Sequence, residues 1–108
     1  MHTESRLMDD STKKLITELK AYQDEFLSFT EPGPNDEMLH KLRKLLFRVS
    51  YADSYLSEKK GKLERAAAKW FSPRKWISHP GGQSTLRVDV LGNIKAVINQ
   101  IEFLARSR

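Results

Sequence analysis

Apolar residues in the first third of the chain recur at the intervals of one helical face. The intervals are four, three and four residues, through Leu15, Leu19, Tyr22 and Phe26. Ser11 is the expected N-cap, since it follows two aspartates and acids are favoured at that end of a helix. The prolines and glycine of TEPGPND end the helix. The pattern predicts a helix over about residues 11–29, after a disordered acidic N-terminus over residues 1–10.

A second apolar stripe runs through the middle of the chain at alternating intervals of four and three residues. Asn35 is its expected N-cap, and Pro73 disfavours a helical conformation for the residue before it. One helix over about residues 36–71 is predicted, roughly 50 Å long. Gly61 leaves two shorter helices open, but we favour one because the stripe stays in phase on both sides of Gly61. The stripe contains Leu45, Val49, Ala52, Leu56, Lys59, Leu63, Ala66 and Trp70, with Lys59 as its one charged interruption.

The last quarter of the chain begins with an ambiguous pattern. Leu86, Val88 and Val90 alternate with polar residues as in a strand, but no second candidate strand exists to pair with them. Helical spacing then continues to the end of the chain. We therefore predict a third helix over about residues 85–106, with Ser84 or Thr85 as its cap.

These elements predict an all-α protein with a single domain. Three helices would form an antiparallel bundle, in which the long central helix and the last helix make a hairpin. The length of the central helix favours a homo-oligomer or a helical protein partner. The predicted interface consists of Leu45, Val49, Leu56, Leu63, Ile94, Ile98 and Ile101.

The charge of the chain is unevenly distributed. The net charge is +5, yet residues 1–37 contain nine acids against four bases, and residues 38–108 contain fifteen bases against five acids. A basic body of this kind attracts phosphate backbones or acidic partners. The alternative is that the two halves neutralise each other within the fold or across a dimer.

Few features of the sequence indicate chemistry. Without cysteine, thiolate metal sites and cysteine nucleophiles are excluded, and the three histidines have no partner at metal-ligand spacing. HPGGQST lacks the lysine and the spacing of a phosphate-binding P-loop. No apolar run approaches the roughly 20 residues of a membrane span. We expect no catalytic residue, no metal, no cofactor and no membrane contact, and a cytoplasmic location.

Binding is better indicated, because bases and aromatic residues alternate around the end of the central helix. Cations that follow a phosphate backbone and rings that stack on bases hold single-stranded nucleic acid. A solvated charged face is the alternative, with Trp70 in the core. Tyr51 and Tyr55 could line an interface, but we favour packing of their rings in the core with their hydroxyl groups at its rim. The candidate residues are Lys59, Lys60, Lys62, Arg65, Lys69, Phe71, Arg74, Lys75 and Trp76.

The order of these segments resembles a known family. YADSYLSEKKGKLERAAAKWF leads through a turn to STLRVDVLGNIKAVINQIEFLARSR, which is similar to the small helical recombination-mediator proteins of bacteriophages. The resemblance covers about residues 45–108, and the Pro-Gly-rich loop and the short chain depart from it. It implies a helical hairpin that oligomerises and binds single-stranded DNA to help load a recombinase.

Two functions are therefore predicted. The first is a non-catalytic, oligomeric accessory protein that binds nucleic acid, with single-stranded DNA favoured. The alternative is a protein–protein adaptor, chaperone or structural subunit whose apolar stripes pack on a partner.

Overall fold

The fold is built from helices. A computed structural model describes residues 9–72 and 78–106, and over those ranges the chain forms four α-helices and no strand. The helices are α1 (Asp10–Leu27), α2 (Asp36–Phe47), α3 (Ser54–Trp70) and α4 (Gly82–Arg106). The all-α prediction is confirmed, but the predicted central helix over residues 36–71 is wrong, because two helices occupy that range.

Two of the three predicted N-caps change. Asp9 caps α1 in place of Ser11, since its Oδ1 accepts the backbone N–H of Thr12 at 2.8 Å. That bond also holds the pKa of Asp9 below its usual value. Asn35 caps α2 as predicted, accepting the N–H of Met38 at 3.0 Å. The last helix begins at Gly82, before the predicted Ser84 or Thr85.

The break between α2 and α3 lies at residues 48–53, and α3 is continuous through Gly61. Arg43 of α2 donates to Glu64 of α3 at 2.9 Å. In one continuous helix these residues would lie about 30 Å apart along the axis, so the ion pair requires α2 to fold back beside α3. Asp53 starts the new helix, because its Oδ2 accepts the N–H of Leu56 at 2.9 Å.

Folding back changes the partners of the apolar stripe. α2 packs on α3 and α1, and α4 packs on α3 and α1, so the stripes meet inside one chain. The seven residues predicted as an interface are at most 6% exposed, and therefore they do not face a second copy or a partner. They form the core together with the apolar face of α1. These residues are Leu45, Val49, Leu56, Leu63, Ile94, Ile98 and Ile101.

α3 and α4 are neighbours that run in opposite directions. Gln100, near the end of α4, donates to Asp53 at the start of α3 at 3.1 Å. Lys69, near the end of α3, lies 3.2 Å from His79 in the turn before α4. Gly81 in that turn has a φ of +83°, and a Cβ there would lie 2.2 Å from Oγ1 of Thr85, so the turn requires glycine.

The linker between α1 and α2 is hydrogen-bonded to the C-terminal end of α3. The N–H of Gly33 donates to the carbonyl of Trp70 at 2.9 Å, and the N–H of Asn35 donates to that of Phe71 at 3.3 Å. These bonds satisfy carbonyls that a helix end leaves without an intrahelical partner. The Pro-Gly-rich segment is therefore both a turn and the C-terminal cap of its neighbour.

The interruption of the central helix depends on Asp53, which makes a testable prediction. Replacing Asp53 with Ala removes the cap and the bond to Gln100, and should lower the free energy of unfolding by about 1–2 kcal/mol in urea denaturation. Asp53→Asn is the matched control, because asparagine caps equally well and should retain most of the stability. Equal losses in both variants would contradict the capping role.

Candidate functional site

Cations line one side of the groove between α3 and α4. In α3 they recur at intervals of three, three and four residues, which is the spacing of one helical face. On the other side, α4 contributes Asp89 and Asn93, and the turn before it contributes His79. The hollow that they enclose has a volume of about 470 Å³. The α3 cations of this "basic groove" are Lys59, Lys62, Arg65 and Lys69.

Two of these cations have local partners on α3. Lys62 lies 3.1 Å from Glu58, one helical turn earlier, and this bond holds the pKa of Glu58 below its usual value. Glu58 is therefore ionised and offsets part of the Lys62 charge. The ammonium group of Lys59 lies 5.3 Å from the ring centroid of Tyr55, at cation–π distance. Both contacts are at the surface, where an ion pair contributes little to stability. Each lysine can therefore exchange its present partner for another anion.

His79 connects the two sides of the basic groove. Its Nδ1 lies 3.2 Å from Nζ of Lys69, and its Nε2 lies 2.7 Å from Oδ2 of Asp89. An ammonium group has only donors, so Nδ1 must accept and the ring proton must be on Nε2, where it donates to Asp89. Only 13% of the His79 side chain is exposed. These contacts hold the Lys69 ammonium group at the edge of the basic groove. They also fix the orientation of the His79 ring at the end of the groove nearest the turn.

Not every predicted residue lies in the groove. Lys60 points elsewhere, because its Nζ donates to the carbonyl of Val49 at 3.4 Å, at the connection between α2 and α3. Phe71 is 2% exposed and packs edge-to-face on Phe26 and Phe29, so its ring is not available to stack on a base. The predicted Arg74, Lys75 and Trp76 lie outside the described residues.

A second charged hollow, between α1 and α2, has a different character. Its volume is about 580 Å³, and its lining contains three carboxylates and three lysine or arginine side chains. Arg48 holds both carboxylate oxygens of Glu18, at 2.9 and 3.2 Å, and Lys41 lies 2.8 Å from Glu25. These bonds lower the pKa of Glu18 and raise that of Lys41. The charges of this hollow join α1 to α2 and leave no excess of either sign.

Sequence reasoning missed His79, Asp89 and Asn93 as parts of the site. Asp89 and Asn93 are one turn apart on α4, so their spacing indicated that they share one helical face. Nothing in the sequence indicated that this face lies opposite the α3 cations. Within residues 9–72 and 78–106, no group of three histidine, aspartate or glutamate side chains is placed to hold a metal ion. Over the same ranges, none of the helices is both long and apolar enough to pass through a membrane.

The chain was compared with protein-family models, with curated proteins and with solved structures, and none of the three comparisons found a match. The resemblance to phage recombination mediators therefore stays a prediction from the sequence.

The geometry at His79 predicts one tautomer. Long-range proton–nitrogen spectra of the neutral imidazole should show the His79 proton on Nε2, because Lys69 donates to the other ring nitrogen, Nδ1. The exposed His40 provides the comparison and should show a mixture of tautomers. A proton on Nδ1 of His79 would contradict the bond from Lys69.

Proposed function

We propose that this chain is a non-catalytic accessory protein that binds nucleic acid along the basic groove, with single-stranded DNA favoured. The observation that carries the proposal is the row of four α3 cations, among the described residues, that lines a single groove. A groove that concentrates positive charge raises the local concentration of a polyanion and orients it.

The length of the row favours a polymer over a single small anion. Lys59 and Lys69 are ten residues apart, so the row extends about 15 Å along the helix axis. One phosphate group would contact only one or two of these side chains. A strand whose phosphates follow one another along the groove would contact them all, and each contact releases a counterion.

The alternative, a protein–protein adaptor, chaperone or structural subunit, has less support. It depended on apolar stripes that pack on a partner, and the stripe residues named for that role are buried in the chain's own core. Oligomerisation, as in the family that the sequence resembles, would need other surface residues. Binding of nucleic acid in the groove does not require it.

The proposal makes a prediction about salt dependence. Binding of a labelled single strand, measured by fluorescence anisotropy, should weaken steeply with salt, with a slope of about −0.7 for each phosphate that the protein neutralises. Replacing both Arg65 and Lys69 with Gln should make this slope shallower by about 1.4. At about 0.1 M salt that change corresponds to roughly 25-fold weaker binding.

The matched control replaces Lys13 and Lys14 with Gln, which changes the net charge by the same amount. Both lysines are exposed on α1, outside the basic groove. This variant should retain nearly all of the affinity. The proposal is wrong if no binding is detected at about 50 mM salt, or if both double variants lose affinity equally.

A further inference from the structure

The groove between α3 and α4 continues past Lys59, where two aromatic rings enter its lining. Tyr55 of α3 is 46% exposed and Phe103 of α4 is 61% exposed, and both line a hollow of about 530 Å³. We call this end of the groove the "aromatic end". The remaining lining residues are Gly92, Lys95, Ala96, Asn99 and Gln100.

The aromatic end and the basic groove adjoin each other on both helices. Lys59 lines the basic groove and also lies over the ring of Tyr55, one helical turn before it. On α4, Gly92 of the aromatic end is followed directly by Asn93 of the basic groove. A ligand that follows the cations toward the start of α3 therefore reaches these two rings.

The exposure of the two rings contrasts with the other aromatic residues of α3 and its cap. Trp70 and Phe71 are at most 2% exposed. Exposed rings give up the free energy that burial would provide, and rings beside cations provide the flat surfaces on which bases stack. We propose that the aromatic end is a nucleobase-stacking site for single-stranded nucleic acid, an inference that rests on the proposed function.

The chemistry of the site selects the form of the nucleic acid. In a duplex the faces of the bases are already stacked on one another, whereas an unpaired strand presents them to a ring. Asn99 is exposed beside the rings, and its amide can both donate to and accept from the edge of a base. Lys95, also exposed, adds a cation for the adjoining phosphate. The aromatic end therefore binds bases while the basic groove binds phosphates.

Gly92 provides a way to close the site without disturbing the core. It lies within α4, and a Cβ built on it meets nothing within 4 Å. Alanine fits there, and a longer side chain projects into the hollow. Gly92→Gln should therefore obstruct the aromatic end, and Gly92→Ala is its control, since both remove a helix-weakening glycine.

The test measures anisotropy at about 50 mM salt with three probes of roughly 12 nucleotides: a thymidine strand, an abasic strand and a duplex. Tyr55→Ala should weaken binding of the thymidine strand about 5- to 150-fold, the equivalent of one stacked base, and leave the abasic strand and the duplex unchanged. The salt slope should also be unchanged, because the phosphate contacts remain. Gly92→Gln should act in the same direction, while Tyr55→Phe and Gly92→Ala retain the affinity.

Phe47→Ala is the matched surface control. Phe47 ends α2, is 90% exposed and lines neither part of the groove, so its loss should not change binding. The stacking site is wrong if Tyr55→Ala behaves like Phe47→Ala, or if the abasic strand binds as tightly as the thymidine strand, while Arg65→Gln/Lys69→Gln still weakens binding. If no probe binds, both the stacking site and the proposed function are wrong.

Discussion

The aromatic cluster at the end of α3 is the contact on which the rest of the fold depends. Trp70 is fully buried with its ring centroid 5.3 Å from that of Phe26, and Phe71 packs edge-to-face on Phe26 and Phe29. Each such pair contributes about 0.5–1.5 kcal/mol beyond the burial of its area. Because the linker N–H of Gly33 also binds the carbonyl of Trp70, the cluster joins α1, the linker and α3 at one point.

This arrangement divides α3 into two faces. Its apolar face is committed to the core, with Leu56 and Leu63 fully buried. Lysine and arginine are almost never fully buried, so the opposite face must reach solvent. α4 then runs back along α3, and the solvent-facing side of that pair becomes a groove. The core and the proposed binding surface are therefore two consequences of the same packing.

Much of the fold follows from local pattern, and the main error has a physical cause. The helical periodicity follows from the apolar spacing, and the Asn35 cap follows from the preference of asparagine for that position. The end of α1 before α2 follows from the prolines and glycine of the linker. The break at residues 48–53 contains neither proline nor glycine, and the stripe stays in phase across it. A stripe in phase is compatible with one long helix or with two helices that pack on each other. Only the apolar area buried by folding back decides between them. Asp53, a residue type that favours the N-cap position, was the one local sign of a second helix start.

The sequence by itself determined the cation row of the candidate site, because a row of cations on one helical face is a local property of α3. It did not determine which aromatic residues accompany that row. Phe71 is adjacent to the cations in sequence but is buried, whereas Phe103 is distant in sequence and lines the groove beyond Lys59. The tertiary structure decided this, because side chains from separate helices share a surface only after the core has fixed how those helices pack.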